Sequence, residues 1–222
     1  MTRELKESDF EAYRLVHRAM GREADAIARM IAALADGDRV RPRRLQSWLK
    51  FVERTLRRHH VAEDRWFFPL LQRRDAVFAE KRAALEAEHT VLEPLLHGTM
   101  RGLGLLSEAS GADWTRVRAE VQKSAEAFRD HLLQHLANEE AIVVERSMAS
   151  LDRMDIETFN RKAFAHHPIS DMRMTMPWLL ENCSDAERER LIDRLPFATR
   201  LVYKLIWHPR FRSISHGLER EV

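Results

Sequence analysis

Apolar residues return at alternating steps of three and four along four successive stretches of the chain, the period of helices that each bury one face. The first runs Phe10, Tyr13, His17, Met20, Ala24, Ile27, Ile31 and Leu34, with Ser8 or Asp9 suited to cap it and Asp36-Gly37-Asp38 to stop it. After a turn at residues 36–42, with Pro42 fitting a helix start, the second reads Leu45, Leu49, Val52, Leu56, His59, Glu63, Trp66 and Leu70. Pro69 is expected to kink or end that helix. The third begins near residue 77 and carries Leu85, His89, Leu92, Leu96 and Leu103, with Pro94 predicting a local bend. A turn from Ser107 to Asp113 leads to the fourth: Val117, Val121, Ser124, Phe128, His131, His135, Glu139 and Ile142. The predicted fold is all-α, an up-down-up-down four-helix bundle over residues 1–147. Beyond it, residues 148–222 read as a C-terminal extension of short helices packed on the bundle, punctuated by Pro168, Pro177, Pro196 and Pro209.

Composition agrees with helices, since Gly and Pro number only 7 each in 222 residues. Basic and acidic residues, 37 and 35, are interspersed, so there is no field to recruit nucleic acid and none is expected as a partner. The single Cys183 excludes an internal disulfide. Residues 1–10 lack the apolar core of a signal peptide and no 18-residue uncharged apolar run occurs, so a cytoplasmic protein without stable membrane insertion is expected. Residues 200–212 place Arg200, Lys204, Arg210 and Arg212 among Leu201, Val202, Leu205, Ile206 and Trp207; this segment is expected to bury its apolar face on its own domain.

Two copies of a short motif carry the chemistry: His59-His60-Val61-Ala62-Glu63-Asp64 and His135-Leu136-Ala137-Asn138-Glu139-Glu140. In each, a histidine and a glutamate four residues apart share one helix face. His17 and His89 lie on the other two stripes, and counting from the turns at about 1.5 Å per residue brings all four helices' histidines to one level within about a turn. His60 and Asp64 lie about 100° round the helix from His59 and Glu63. Imidazoles and carboxylates converging from four helices form a donor set that suits iron, and less specifically manganese or zinc. A buried glutamate without a partner is otherwise costly.

A lone histidine on the first helix, H-x-x-x-E on the second, histidine on the third and H-x-x-x-E on the fourth resembles the hemerythrin, or HHE cation-binding domain, family over roughly residues 8–147. The resemblance implies a non-haem site of two iron ions bridged by Glu63 and Glu139, with His17 and His59 nearer one iron and His89 and His135 nearer the other. Oxygen carriers of the family have a fifth histidine one turn after the third-helix histidine. Here that place is Glu93, and an anionic ligand there speaks against reversible oxygen carriage because it stabilises oxidised iron. Of the residues able to supply a missing ligand, His131 ranks first and His60 second. Tyr13 is read as lining the pocket or hydrogen-bonding around it.

The functions that follow are binding or sensing of a small ligand such as dioxygen, nitric oxide or a peroxide, with a separate protein partner if it senses. From another class comes an iron enzyme that decomposes peroxide or reduces nitric oxide, and from a third an iron-responsive regulatory module. No phosphate-binding loop or serine-nucleophile motif competes.

Overall fold

The computed structural model describes residues 4–193 and 195–219, and among these there is no strand. A short 3-10 turn leads into α1 (Glu11–Ala32), followed by α2 (Val40–Ala62), α3 (Phe68–Arg74), α4 (Ala76–Leu106) and α5 (Gly111–Glu139). The remainder is α6 (Glu145–Ser150), α7 (Arg153–Ala165), α8 (Ile169–Glu181), α9 (Asp185–Asp193), α10 (Phe197–Val202) and α11 (His208–Glu219). The long helices α1, α2, α4 and α5 form the up-down-up-down bundle. Helix α4 lies along α5, α5 along α1 and α2 along α4, while α1 and α2 touch more sparsely. Gly102 permits the close α4–α5 approach, because a Cβ there would sit 2.5 Å from Val121 Cγ2.

Local signals set the helix starts. Asp38 Oδ1 accepts from the Val40 and Arg41 backbone N–H groups at 2.8 and 3.1 Å, and Asp75 caps α4 by accepting from Val77 N–H at 2.9 Å. Neither Ser8 nor Asp9 caps α1; both lie in the 3-10 turn Glu7–Phe10, where Asp9 accepts from Lys6 N–H at 2.8 Å.

The stripe after each motif slips by one residue. Trp66, Leu70 and Ile142, expected to face inward, are only half-buried, and Phe67, Phe68, Leu71, Val143 and Val144 are buried instead. The cause is a π turn after each motif, Glu63–Phe67 and Glu140–Val144. A π turn holds one residue more than an α turn, so every later side chain rotates by about 100°. Near Pro69 the regular α-helical winding ends, at Ala62, before the proline itself. The wide turn precedes it, with Phe68 N–H reaching Glu63 C=O, and helix continues to Arg74. Helix α4 runs unbroken through Pro94.

The C-terminal helices fill the sparse seam between α1 and α2. Trp178, Phe211 and Leu218 belong to the same buried cluster as Trp48 and Phe51, with Phe51 edge-on to Trp178 at 5.9 Å. Both oxygens of Glu23 on α1 are used: Trp48 Nε1 donates at 2.6 Å and Trp178 Nε1 at 2.9 Å. Two arginines hold α8 at its ends. Arg18 on α1 donates to Asn182 C=O and pairs with Glu187, both at 3.2 Å, and Arg58 on α2 pairs with Asp171. The segment 200–212 departs from expectation: Tyr203 and Phe211 are buried and Trp207 half-buried, but Leu201, Leu205 and Ile206 are exposed. A third π turn, Tyr203–Trp207, breaks the period of this face and leaves Leu205 and Ile206 off the packed side. No helix among the described residues is long and apolar enough to cross a membrane.

Two predictions follow from these contacts. Glu23→Ala leaves two indole N–H groups without their shared acceptor, lowering stability by about 2 kcal/mol, seen as a lower Tm and faster proteolysis beyond residue 165. The Arg146 guanidinium holds Asp75 down from its ordinary 3.8 to about 2. A carboxyl lowered on folding stabilises fully above 3.8 and loses that contribution as pH falls toward 2, so Asp75→Asn flattens the decline in Tm over that window.

Candidate metal centre

The core is interrupted. One apolar cluster ends at Met20, Leu56, Leu92, Leu132 and Leu136, and a second begins at Tyr13, Ala62, Phe67, Leu85 and Val143. Between them, at one level of the bundle, lie His17, His59, His60, Glu63, His89, His135 and Glu139. Glu63 and Glu139 are 0% exposed.

These side chains fall into two groups whose donor atoms lie within 4.8 Å of one another: His17, His59, Glu63 and Glu139, and His60, His89 and His135. In the first, the Nε2 atoms of His17 and His59 are 3.1 Å apart, and His59 Nε2 is 3.1 Å from Glu63 Oε1. In the second, the His60 and His89 rings stack at 3.8 Å with His135 edge-on to His89 at 4.7 Å. Glu139 Oε2 touches both, 3.6 Å from His17 Nε2 and 3.4 Å from His135 Nε2.

The buried polar atoms facing this level find no hydrogen-bond partner in the protein. They are Nε2 of His60, His89 and His135 and all four carboxylate oxygens of Glu63 and Glu139. Seven such atoms would cost far more than a bundle can spare, and cations satisfy them all at once. The other ring nitrogens are held from outside. His17 Nδ1 lies 3.1 Å from Glu140, His89 Nδ1 3.2 Å from Asp64 and His135 Nδ1 2.9 Å from Glu88, which also accepts from Asn138 at 3.0 Å. Asp64 and Glu88 can take the Nδ1–H of His89 and His135, fixing the tautomer that turns a bare Nε2 inward, and Glu140 lies against His17 Nδ1 as a charge partner.

Without a cation the layer is pushed toward neutrality. Burial lowers the pKa of His17, lowers that of His59 and His60 strongly, and brings His135 down to about 4. Burial, then the charge of Glu139, raises Glu63 strongly, and burial lifts Glu139 to about 8.

The structure brings together His17, His59, His60, Glu63, His89, His135 and Glu139, but not the other two proposed ligands. His131 is exposed, its Nδ1 2.8 Å from Ala127 C=O, because Leu132 takes the inward place between Phe128 and His135. Glu93 is exposed because the α4 face continues from His89 through Leu92. His60 is a fifth imidazole at this level: it turns to His89 on α4 while His59, about 100° away on α2, turns to His17 on α1. Tyr13 is buried with its ring 4.2 Å from His17. Sequence reasoning missed Asp64, Glu88 and Glu140 as partners of the histidines, although each adjoins a ligand-type residue in the chain. A cleft of about 530 Å³ between α1 and α5, lined by Arg14, Arg18, Arg22 and Leu133, reaches His17 and Glu140.

No curated protein and no solved structure matches the chain. The hemerythrin HHE cation-binding domain model does match, over residues 8–147, and that span holds both motifs and all seven inward donors. With this match over well over half its length, on the span that carries the converging donors, the chain belongs to the hemerythrin HHE cation-binding domain family.

Proposed function

We propose that the chain holds two iron ions, one at each donor group, and uses them to bind dioxygen, nitric oxide or a peroxide. The observation that carries this reading is Glu139, whose carboxylate lies within 3.6 Å of a histidine from each group and so stands where two cations could share it. Manganese and zinc suit the same nitrogen and oxygen donors less specifically. Bound iron would supply the ligand-binding and redox chemistry; the protein supplies a dry layer and fixed tautomers. With His60 in the fifth histidine's role and Glu93 exposed, five imidazoles face two carboxylates. That balance favours ferrous iron and reversible binding over an enzyme needing an extra anionic ligand. The reading places the protein in a reducing cytoplasm, where buried Cys183 stays a free thiol.

Iron per chain, measured by atomic emission, is expected to fall in His59→Ala, His60→Ala, His135→Ala and Glu63→Ala and to stay at the parent level in His131→Ala, Glu93→Ala and His166→Ala. Equal content in all seven removes the assignment. In parent protein reconstituted without air, a charge-transfer band that forms and reverses with dioxygen or nitric oxide supports binding, and repeated consumption of peroxide supports an enzyme instead.

Metal uptake is also linked to protons. With Glu139 at about 8, the metal-free protein carries a proton there at pH 7 that a cation must displace. Ferrous addition in weak buffer therefore releases protons, read with an indicator dye, and apparent affinity rises from pH 6 to 8. For stability the sign is opposite. A carboxyl raised on folding binds more protons folded than unfolded, so metal-free stability falls as pH rises toward 8. His135, lowered to about 4, opposes this only up to its ordinary value of 6.5. Above 6.5 the fall stands alone, and a Tm of the metal-free protein that rises from pH 6.5 to 8 contradicts it.

A further inference from the structure

Around the two donor groups every inward polar atom but one is an acceptor or a metal ligand. The exception is the Tyr13 hydroxyl, which is buried, within reach of Glu139 though without a well-aligned hydrogen bond to it, and near enough to Glu63 to feel its charge. The ring is held in place by His17 at 4.2 Å, His59 at 6.2 Å and the edge of Phe67 at 5.9 Å. A phenol in that setting is an expensive residue unless its O–H has an acceptor, and phenylalanine would pack equally well against the same three rings.

The two groups are unequal. The second has three imidazoles, His60, His89 and His135, whereas the first has two, His17 and His59, with both carboxylates. A cation in the first group is thus the one short of an imidazole, and it is this group that Tyr13 borders.

We propose that the Tyr13 hydroxyl donates a hydrogen bond to the small ligand held on the His17 and His59 side, selecting ligands whose outer atom carries a lone pair. This rests on the two-cation reading above. The ligand class is a short, acceptor-ended species, such as dioxygen, a peroxide anion or azide, in preference to a ligand with an inert outer end. Tyr13 is in this sense a specificity-determining residue.

Azide, a triatomic anion with a terminal lone pair, is the probe. It is titrated into the oxidised, iron-loaded full chain and followed by its charge-transfer absorption. In Tyr13→Phe the azide dissociation constant rises about tenfold, the weight of one ordinary hydrogen bond, with iron content and Tm at parent values. Should Tyr13→Phe shed iron, a second form decides. The chain has only 2 tyrosines, and Tyr203 lies in a separate cluster with Leu180 and Cys183, so 3-fluorotyrosine in a Tyr203→Phe background labels Tyr13 alone. Its more acidic phenol is a stronger donor and tightens azide severalfold. Azide affinity unchanged by both substitutions overturns the proposal. A parent protein that takes up no iron is recognised from its metal content before any azide is added, and overturns the two-cation reading and this one together.

Discussion

Two carboxylates sealed between apolar clusters, with no cationic side chain against them, set the terms for everything around them. Glu63 and Glu139 divide the core into an upper and a lower apolar half. Burying such groups is tolerable only if they are protonated or face positive charge. The metal-free layer takes the first course, with raised glutamates and lowered histidines, and a pair of cations provides the second. The same residues are therefore a defect in an empty bundle and a cage in a filled one.

The cage depends on how the helices are wound. Each H-x-x-x-E segment passes directly into a π turn, which lets the residue after each glutamate reach a histidine on another helix. Asp64 leaves the end of α2 for His89 on α4, and Glu140 leaves the end of α5 for His17 on α1. The two halves of the centre thus use one device twice, on opposite corners of the bundle. The slip in register that follows brings Phe67 and Phe68 on one side, and Val143 and Val144 on the other, under the polar layer as its floor.

Much of this was legible in the chain itself, because a helix bundle writes its interior as a period of 3.6. The stripes located four helices and their level, and with them His17, His59, Glu63, His89, His135 and Glu139. What periodicity could not decide was the choice between neighbours. Both His131 and Leu132 fit between Phe128 and His135, and Glu93 and Leu92 both follow His89 by about a turn; in each case the apolar neighbour went inside because burying it costs nothing. His60 went the other way: His59 meets His17 on α1 while His60 stacks on His89 of α4, so both neighbours find an imidazole across the layer. The π turns left little mark in the pattern beyond the mismatch they create: Pro69 follows the first by two residues, where its ring would strike the carbonyl of Arg65 in a regular helix, and Pro209 follows the third likewise, but no proline follows Glu140–Val144. Asp64, Glu88 and Glu140 were hidden because a carboxylate at a helix surface looks like any other solvated charge.

The residues next to His17 and His59 in sequence are Arg18 and Arg58, and these are the two that fasten the ends of α8. A helix is stiff about its own axis, so any twist of α1 or α2 that reseats an imidazole swings the adjoining guanidinium along the outside by a comparable angle. The inner grip and the outer fastening thus share the same two helices, one turned to the carboxylates and the other to α8.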